Sequence, residues 1–134
     1  MLVFDIETNG LLNDVSKIHC ISTFDTEKEE TFIYNDQNNG HPSNRDGINQ
    51  IMEADTIVGH NIIGYDLAVI RKLCPEFNTN AECVDTLVLS RLYHPNLMEI
   101  DKKKTMATYA ITTIWTSLSR SLWLQIRRIQ RRLW

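Results

Sequence analysis

The sequence predicts an α/β or α+β fold in which helices pack on a mixed sheet. Two observations carry this: three strand-like runs come first, and helical and strand-like segments alternate from about residue 48 onward. With 134 residues, 43% of them hydrophobic, the chain holds enough apolar material for one core and one compact domain.

The first strand is predicted over residues 1–7, the second over Lys17 to Phe24 and the third over Glu30 to Tyr34. Thr8-Asn9-Gly10 and the charged run Asp25-Thr26-Glu27-Lys28 separate them, so the three are expected to form an antiparallel meander. Asn35 to Gly47 is rich in Asn, Asp, Gly and Ser and reads as a polar loop, followed by a short helix near Ile48 to Ala54. Thr56-Ile57-Val58-Gly59 is a short apolar run of the kind found in buried strands. Between Tyr65 and Leu73, the residues Leu67, Val69, Ile70 and Leu73 fall on one helical face, and Pro75 ends that helix. A last helix is expected after Asp85, with the Asp85 side chain capping Thr86 to Leu92 ahead of His94-Pro95.

Cys20, Cys74 and Cys83 are odd in number and lack C-x-x-C spacing, which points away from a disulfide framework and from a zinc site. There is no basic leader-like segment and no apolar stretch of membrane-spanning length, so a soluble, cytoplasmic protein without a membrane partner is expected. Charge is distributed unevenly. All 17 acidic residues lie at or before Asp101, beside six Lys and Arg, which gives residues 1–101 a net charge of −11. Residues 102–134 hold eight basic residues and all three Trp, with no acid, Gly or Pro.

Two groups of residues suggest chemistry. Asp5 and Glu7 close the first apolar run, and residues i and i+2 of a strand project from the same face roughly 6 to 7 Å apart along it. Paired carboxylates suit a hard divalent cation such as Mg²⁺ or Mn²⁺, although solvated acids on an edge strand have the same pattern. About fifty residues later, Val58-Gly59-His60-Asn61-Ile62-Ile63-Gly64-Tyr65-Asp66 runs from a buried strand through a polar turn to a helix start. Asp66 there is either a functional acid at the mouth of the sheet or an ordinary acid complementing the helix dipole, with Tyr65 as packing.

The segments Asp5-Ile6-Glu7-Thr8, His60-Asn61 with Tyr65-Asp66, and Cys83 to Leu92 followed by His94 and Asn96-Leu97 occur in the order and spacing of a known pattern. Over residues 1–101 the chain resembles the 3′–5′ proofreading exonuclease domain of phage T7-type family A DNA polymerases, in the DEDD, ribonuclease H-like superfamily. The resemblance implies a ribonuclease H-like mixed sheet flanked by helices. It also implies hydrolysis, assisted by two Mg²⁺ or Mn²⁺ ions, of the 3′-terminal phosphodiester of single-stranded DNA.

Asp5, Glu7 and Asp66 would then be both the catalytic acids and the metal ligands. Thr8, Leu11 and Asn61 would lie at the terminal nucleotide, with core packing at least as strong an alternative for Leu11. His60 would be a hydrogen-bonding turn residue, since Mg²⁺ selects oxygen. The expected partners are a single-stranded DNA 3′ end and the remaining polymerase polypeptide, in a bacterial host's cytoplasm.

The sequence departs from the pattern at its last motif, in which Tyr or His precedes an Asp by four positions. Tyr93 is followed at that distance by Leu97, His94 by Met98 and Tyr109 by Thr113. A site without that carboxylate is expected to be weak or inactive, and the alternative is a non-catalytic nucleic-acid-binding or polymerase-interacting fragment.

Residues 102–134 have two readings. Leu122, Ile126, Ile129 and Leu133, interleaved with Arg127, Arg128, Arg131 and Arg132, describe a basic amphipathic helix suited to phosphates or an anionic surface. The preferred expectation is an out-of-frame translation beginning near Lys102-Lys103-Lys104, which would leave the domain C-terminally truncated. Allowed codons for Thr105 to Trp134, read one nucleotide later, permit an H-S-L-E-A-Y-G-Y-R-L-G segment similar to the phage exonucleases.

Overall fold

The computed structural model of the protein describes residues 1–37 and 39–96, so the 102–134 tail lies outside the described residues. The chain divides into two units, Met1–Thr86 and Leu87–Trp134, each taken by itself below.

Strands β1 (Leu2–Thr8), β2 (Ile18–Asp25) and β3 (Glu30–Asn35) form the expected antiparallel meander. Helix α1 (Asn44–Glu53) then leads to β4 (Thr56–Gly59), which returns parallel to β1, and α2 (Asp66–Leu73) leads to β5 (Glu82–Asp85), parallel to β4. The resulting order is β3-β2-β1-β4-β5. This is the ribonuclease H-like mixed sheet flanked by helices that the sequence led us to expect. Helix α3 (Thr86–Tyr93) follows β5 directly, and within the second unit the Ser90 hydroxyl donates to the Leu87 carbonyl at 2.7 Å.

The central position of β1 explains its composition. Leu2, Val3 and Phe4 are buried in succession, as expected of a strand covered on both faces, and only toward its C-terminal end does the run turn polar. Leu2, Phe4 and Ile6 join Ile21, Ile51, Ile57, Ile62, Val69 and Ile70 in one apolar core. Helix α1 lies against β2 and β3, and Gly47 lets it approach: a Cβ there would stand 2.8 Å from the Tyr34 ring.

Two expectations need correction. The polar loop does not run to Gly47, because α1 begins at Asn44. Ser43 and Asp46 form a reciprocal capping box, with the Ser43 hydroxyl accepting from the Asp46 amide and the Asp46 carboxylate from the Ser43 amide. Residues 82–85, unassigned from the sequence, form an edge strand, and the Asp85 carboxylate accepts from the Asn61 and Ile63 amides of the β4–α2 turn. Among the described residues no helix is long and apolar enough to cross a membrane.

Candidate active site

β1, β4 and β5 run in parallel, so their C-terminal ends share one edge of the sheet, and the acids singled out in the sequence gather there. Asp5 and Glu7 project from the face of β1 opposite Leu2, Phe4 and Ile6. The β1–β2 register slips between Glu7 and Thr8, where Glu7 pairs with Cys20 but Thr8 pairs with Ile18, skipping His19. Such an irregularity bends the ribbon just past the acids and ends regular pairing there.

Asp66 reaches the same place from the other side. The parallel pairing of β4 with β1 covers Leu2 and Val3 only, and the Ile6 amide further along donates to the Asp66 carboxylate at 3.2 Å. A single buried hydrogen bond thus ties the first residue of α2 to the peptide between Asp5 and Glu7. Asp66 is 3% exposed, Asp5 is half-buried and Glu7 is exposed.

Crowding acids in a partly dry site makes their charged forms costly. Burial, then the negative charges of Asp66 and Glu7, push Asp5 up to about 7. Burial also raises Asp66, to about 6; hydrogen bonds from the backbone oppose this, and the charges of Asp85 and Glu7 add to it.

The remaining expected site residues take varied places. Thr8 and Tyr65 bring their hydroxyls together over the Gly10 carbonyl, to which Thr8 lies at 3.0 Å and Tyr65 at 2.6 Å. Tyr65 therefore does more than pack: it ties the β1–β2 loop to the start of α2. Leu11 is 76% exposed, so its side chain is not packed in the core. Asn61 adopts a left-handed φ of 61°, a conformation Asn tolerates better than most residues, and its carbonyl accepts from the Tyr65 amide at 2.9 Å. His60 hydrogen-bonds Thr86 through Nδ1 at 3.0 Å, consistent with a turn role.

Two neighbours were not read as site residues. Asp85, expected as a helix cap with an indirect role, accepts from the Asn61 and Ile63 amides of the β4–α2 turn, and only the pairing of β5 with β4 reveals that placement. Cys20, the register partner of Glu7, has its thiol pushed up by burial and then by the charges of Glu7 and Asp5, and only strand register reveals that placement.

The donor chemistry suits a divalent cation. Three carboxylates offer hard oxygen, and their mutual repulsion is what a cation would relieve. Among the described residues, no three His, Cys, Asp or Glu side chains already close around a metal position. The fit therefore rests on donor type and charge.

The same chain matches the family model for the RNase H superfamily over residues 2–121. It is 38% identical over 112 residues to the DNA-directed DNA polymerase of Escherichia phage T7, covering 75% of this chain and 15% of that protein. With the DNA-directed DNA polymerase of Enterobacteria phage T3 the identity is 39% over the same length and shares. The chain thus spans about 15% of the length of these curated relatives. Among solved structures, the family B DNA polymerase from the archaeon Pyrobaculum calidifontis is similar with a TM-score of 0.40 and 17% identity, over 58% of this chain and 11% of that one, too distant to bear on function. Sheet order, acid placement and a match over residues 2–121 converge: the chain belongs to the ribonuclease H superfamily.

Proposed function

We propose that the protein is part of a DNA polymerase's 3′–5′ exonuclease domain, acting on the 3′-terminal phosphodiester of single-stranded DNA with two divalent cations, Mg²⁺ or Mn²⁺. The observation that carries this reading is the Asp66 carboxylate bonded to the Ile6 amide, between Asp5 and Glu7. That contact brings acids sixty residues apart to one sheet edge, in a chain 38% identical to part of a phage DNA polymerase.

Asp5, Glu7 and Asp66 would hold the cations, Asp5 lying in the field of both of the others. A bound divalent cation supplies Lewis acidity and lowers the pKa of water toward neutrality. The chain's own residues prepare the place. Burial strengthens the field of Asp5 and Asp66, and the Ile6 amide orients Asp66; in this reading Thr8, Leu11 and Asn61 would meet the terminal nucleotide.

A second reading, a non-catalytic fragment that binds nucleic acid or the rest of a polymerase, is favoured by one sequence observation. Beyond Asp66, no Tyr or His is followed four positions later by Asp. The reading of residues 102–134 as out-of-frame belongs with it and is settled by the nucleotide sequence past Lys104. Incubating the chain with a labelled single-stranded oligonucleotide and Mn²⁺, beside Asp5→Ala, separates the two. Stepwise shortening from the 3′ end that Asp5→Ala lacks supports the nuclease. Salt-sensitive binding without shortening supports the fragment.

A further inference from the structure

We propose that Asp85 is a positioning residue for the acid site: its carboxylate fixes the turn from Asn61 to Tyr65 and thereby places Asp66. This rests on the metal-binding reading of Asp5, Glu7 and Asp66 given above. Asp85 is the last residue of β5 and pairs with Gly59, the last of β4, so it stands at the same sheet edge as the other acids. It is 4% exposed, and its two oxygens are used separately: Oδ1 accepts from the Asn61 amide at 2.9 Å, and Oδ2 from the Ile63 amide at 3.0 Å.

These bonds hold a turn that has little freedom left. While the amides of Asn61 and Ile63 point at Asp85, the carbonyls of Asn61 and Ile62 accept from the Tyr65 and Leu67 amides, both at 2.9 Å. Successive peptides of the turn are thus fixed from both sides, one by the β5 carboxylate and the other by the first turn of α2. Asn61 is kept in its left-handed conformation, and its side chain folds over Gly64, where a Cβ would fall 2.6 Å from Asn61 Oδ1. Asp66 follows at once, with its own carboxylate on the Ile6 amide. A continuous chain of hydrogen bonds therefore runs from the end of β5, through the turn, to the peptide between Asp5 and Glu7.

This role calls for a carboxylate and not merely a polar side chain. An amide of the same size keeps one acceptor oxygen but turns an NH₂ toward the second backbone amide, where donor faces donor. Asp85→Asn would accordingly keep the packing and release half of the clamp. Groups that orient a metal's ligands typically change affinity 10- to 100-fold when removed.

The test uses the full chain and Mn²⁺ alone, with free ion measured by electron paramagnetic resonance and amide exchange followed by NMR. Wild type, Asp5→Ala, Asp85→Asn and the core variant Ile51→Val are compared under conditions where all are folded. The expected result for Asp85→Asn is Mn²⁺ binding about 10- to 100-fold weaker, with exchange protection lost at Asn61 and Ile63 but retained along β1 and β2. Ile51→Val, a buried change in α1, should lower stability and leave affinity unchanged. Affinity retained in Asp85→Asn overturns the inference alone, as does an equal fall in Ile51→Val, which would mark a general stability effect. Wild type binding no better than Asp5→Ala overturns the metal reading and this inference with it.

Discussion

Asp5 and Asp25 lie on the same antiparallel ribbon, Asp5 opposite Ser22 and Asp25 opposite Leu2, yet their surroundings push them in opposite directions. Asp25 caps a tight connection: its carboxylate accepts from the Glu27 and Lys28 amides at 3.0 and 3.3 Å, and the Lys28 ammonium is 3.6 Å away. Those amides, that of Glu27 first, hold it below the usual carboxylate range. Asp5 is raised by burial and by two further acids. A carboxylate that serves the fold is surrounded by donors, whereas one whose surroundings add only negative charge and burial is arranged for a cation that the polypeptide does not supply. The two acids of one ribbon thus differ in their surroundings as the proposed roles require, Asp25 held by backbone donors and Asp5 by none that lowers it.

The sharpest way to break this comparison is to remove each acid in turn. Asp5→Ala should weaken Mn²⁺ binding by at least about 100-fold, since it takes away a buried acid raised by both of the others, and Asp25→Ala should leave it unchanged. Equilibrium dialysis measures both, and equal losses would erase the distinction.

A smaller but still large effect is expected at Gly59, where the acid edge depends on close backbone approach. A Cβ there would fall 2.3 Å from Ile62 Cγ2 and 2.8 Å from the Phe4 carbonyl oxygen, so Gly59→Ala should cost about 1–3 kcal/mol in urea denaturation. No loss of stability would mean that the β1–β4 contact yields more readily than its spacing implies.

Acid placement also sets the pH dependence of stability in metal-free protein. The folded chain holds a proton on Asp5 up to about 7 and on Asp66 up to about 6, while an ordinary Asp releases it near 3.8. Between these limits the folded state binds more protons than the unfolded one, so stability present below about pH 4 is lost as pH rises toward 7. The slope is at most about 1.4 kcal/mol per pH unit for each group. Asp5→Asn should flatten this fall and raise the thermal midpoint at pH 7.5. Asp25→Asn should act in the opposite sense, because a lowered carboxylate contributes stability above its unfolded value and loses it as pH falls. A midpoint for Asp5→Asn below that of wild type at pH 7.5 would reverse the sign of the account.

The smallest effect on folding is expected at Leu11. Its exposure of 76% predicts that Leu11→Ala changes stability by less than about 0.5 kcal/mol, while affinity for a single-stranded oligonucleotide falls if this side chain meets the terminal base. Fluorescence anisotropy with a labelled oligonucleotide checks the second part.

Much of this was legible in the sequence because the relevant signals are local. The i, i+2 spacing of Asp5 and Glu7 on an apolar strand gave their common face, and the apolar spacing of Leu67, Val69 and Ile70 gave α2 and the place of Asp66 at its start. The start of α1 was missed by four residues because Ser43 and Asp46, a recognisable capping pair, sit inside a stretch whose Asn and Gly content reads as loop. Strand β5 was hidden because Glu82 to Asp85 is too short to show alternation, and the role of Asp85 could not emerge without it. Partnerships such as Asp66 with the Ile6 amide, or Cys20 beside Glu7, join residues that only strand order and register bring together.

The central claim is that Asp5 is a carboxylate left without compensation so that a cation can provide it. Carboxyl-carbon NMR of the metal-free chain, titrated from pH 3 to 9 and repeated with saturating Mg²⁺, tests it most directly. The account predicts an Asp5 midpoint near 7 without metal, falling below the ordinary value near 3.8 when Mg²⁺ displaces the proton. An Asp5 that titrates like Asp25 without metal, or a midpoint that Mg²⁺ does not move, would contradict it.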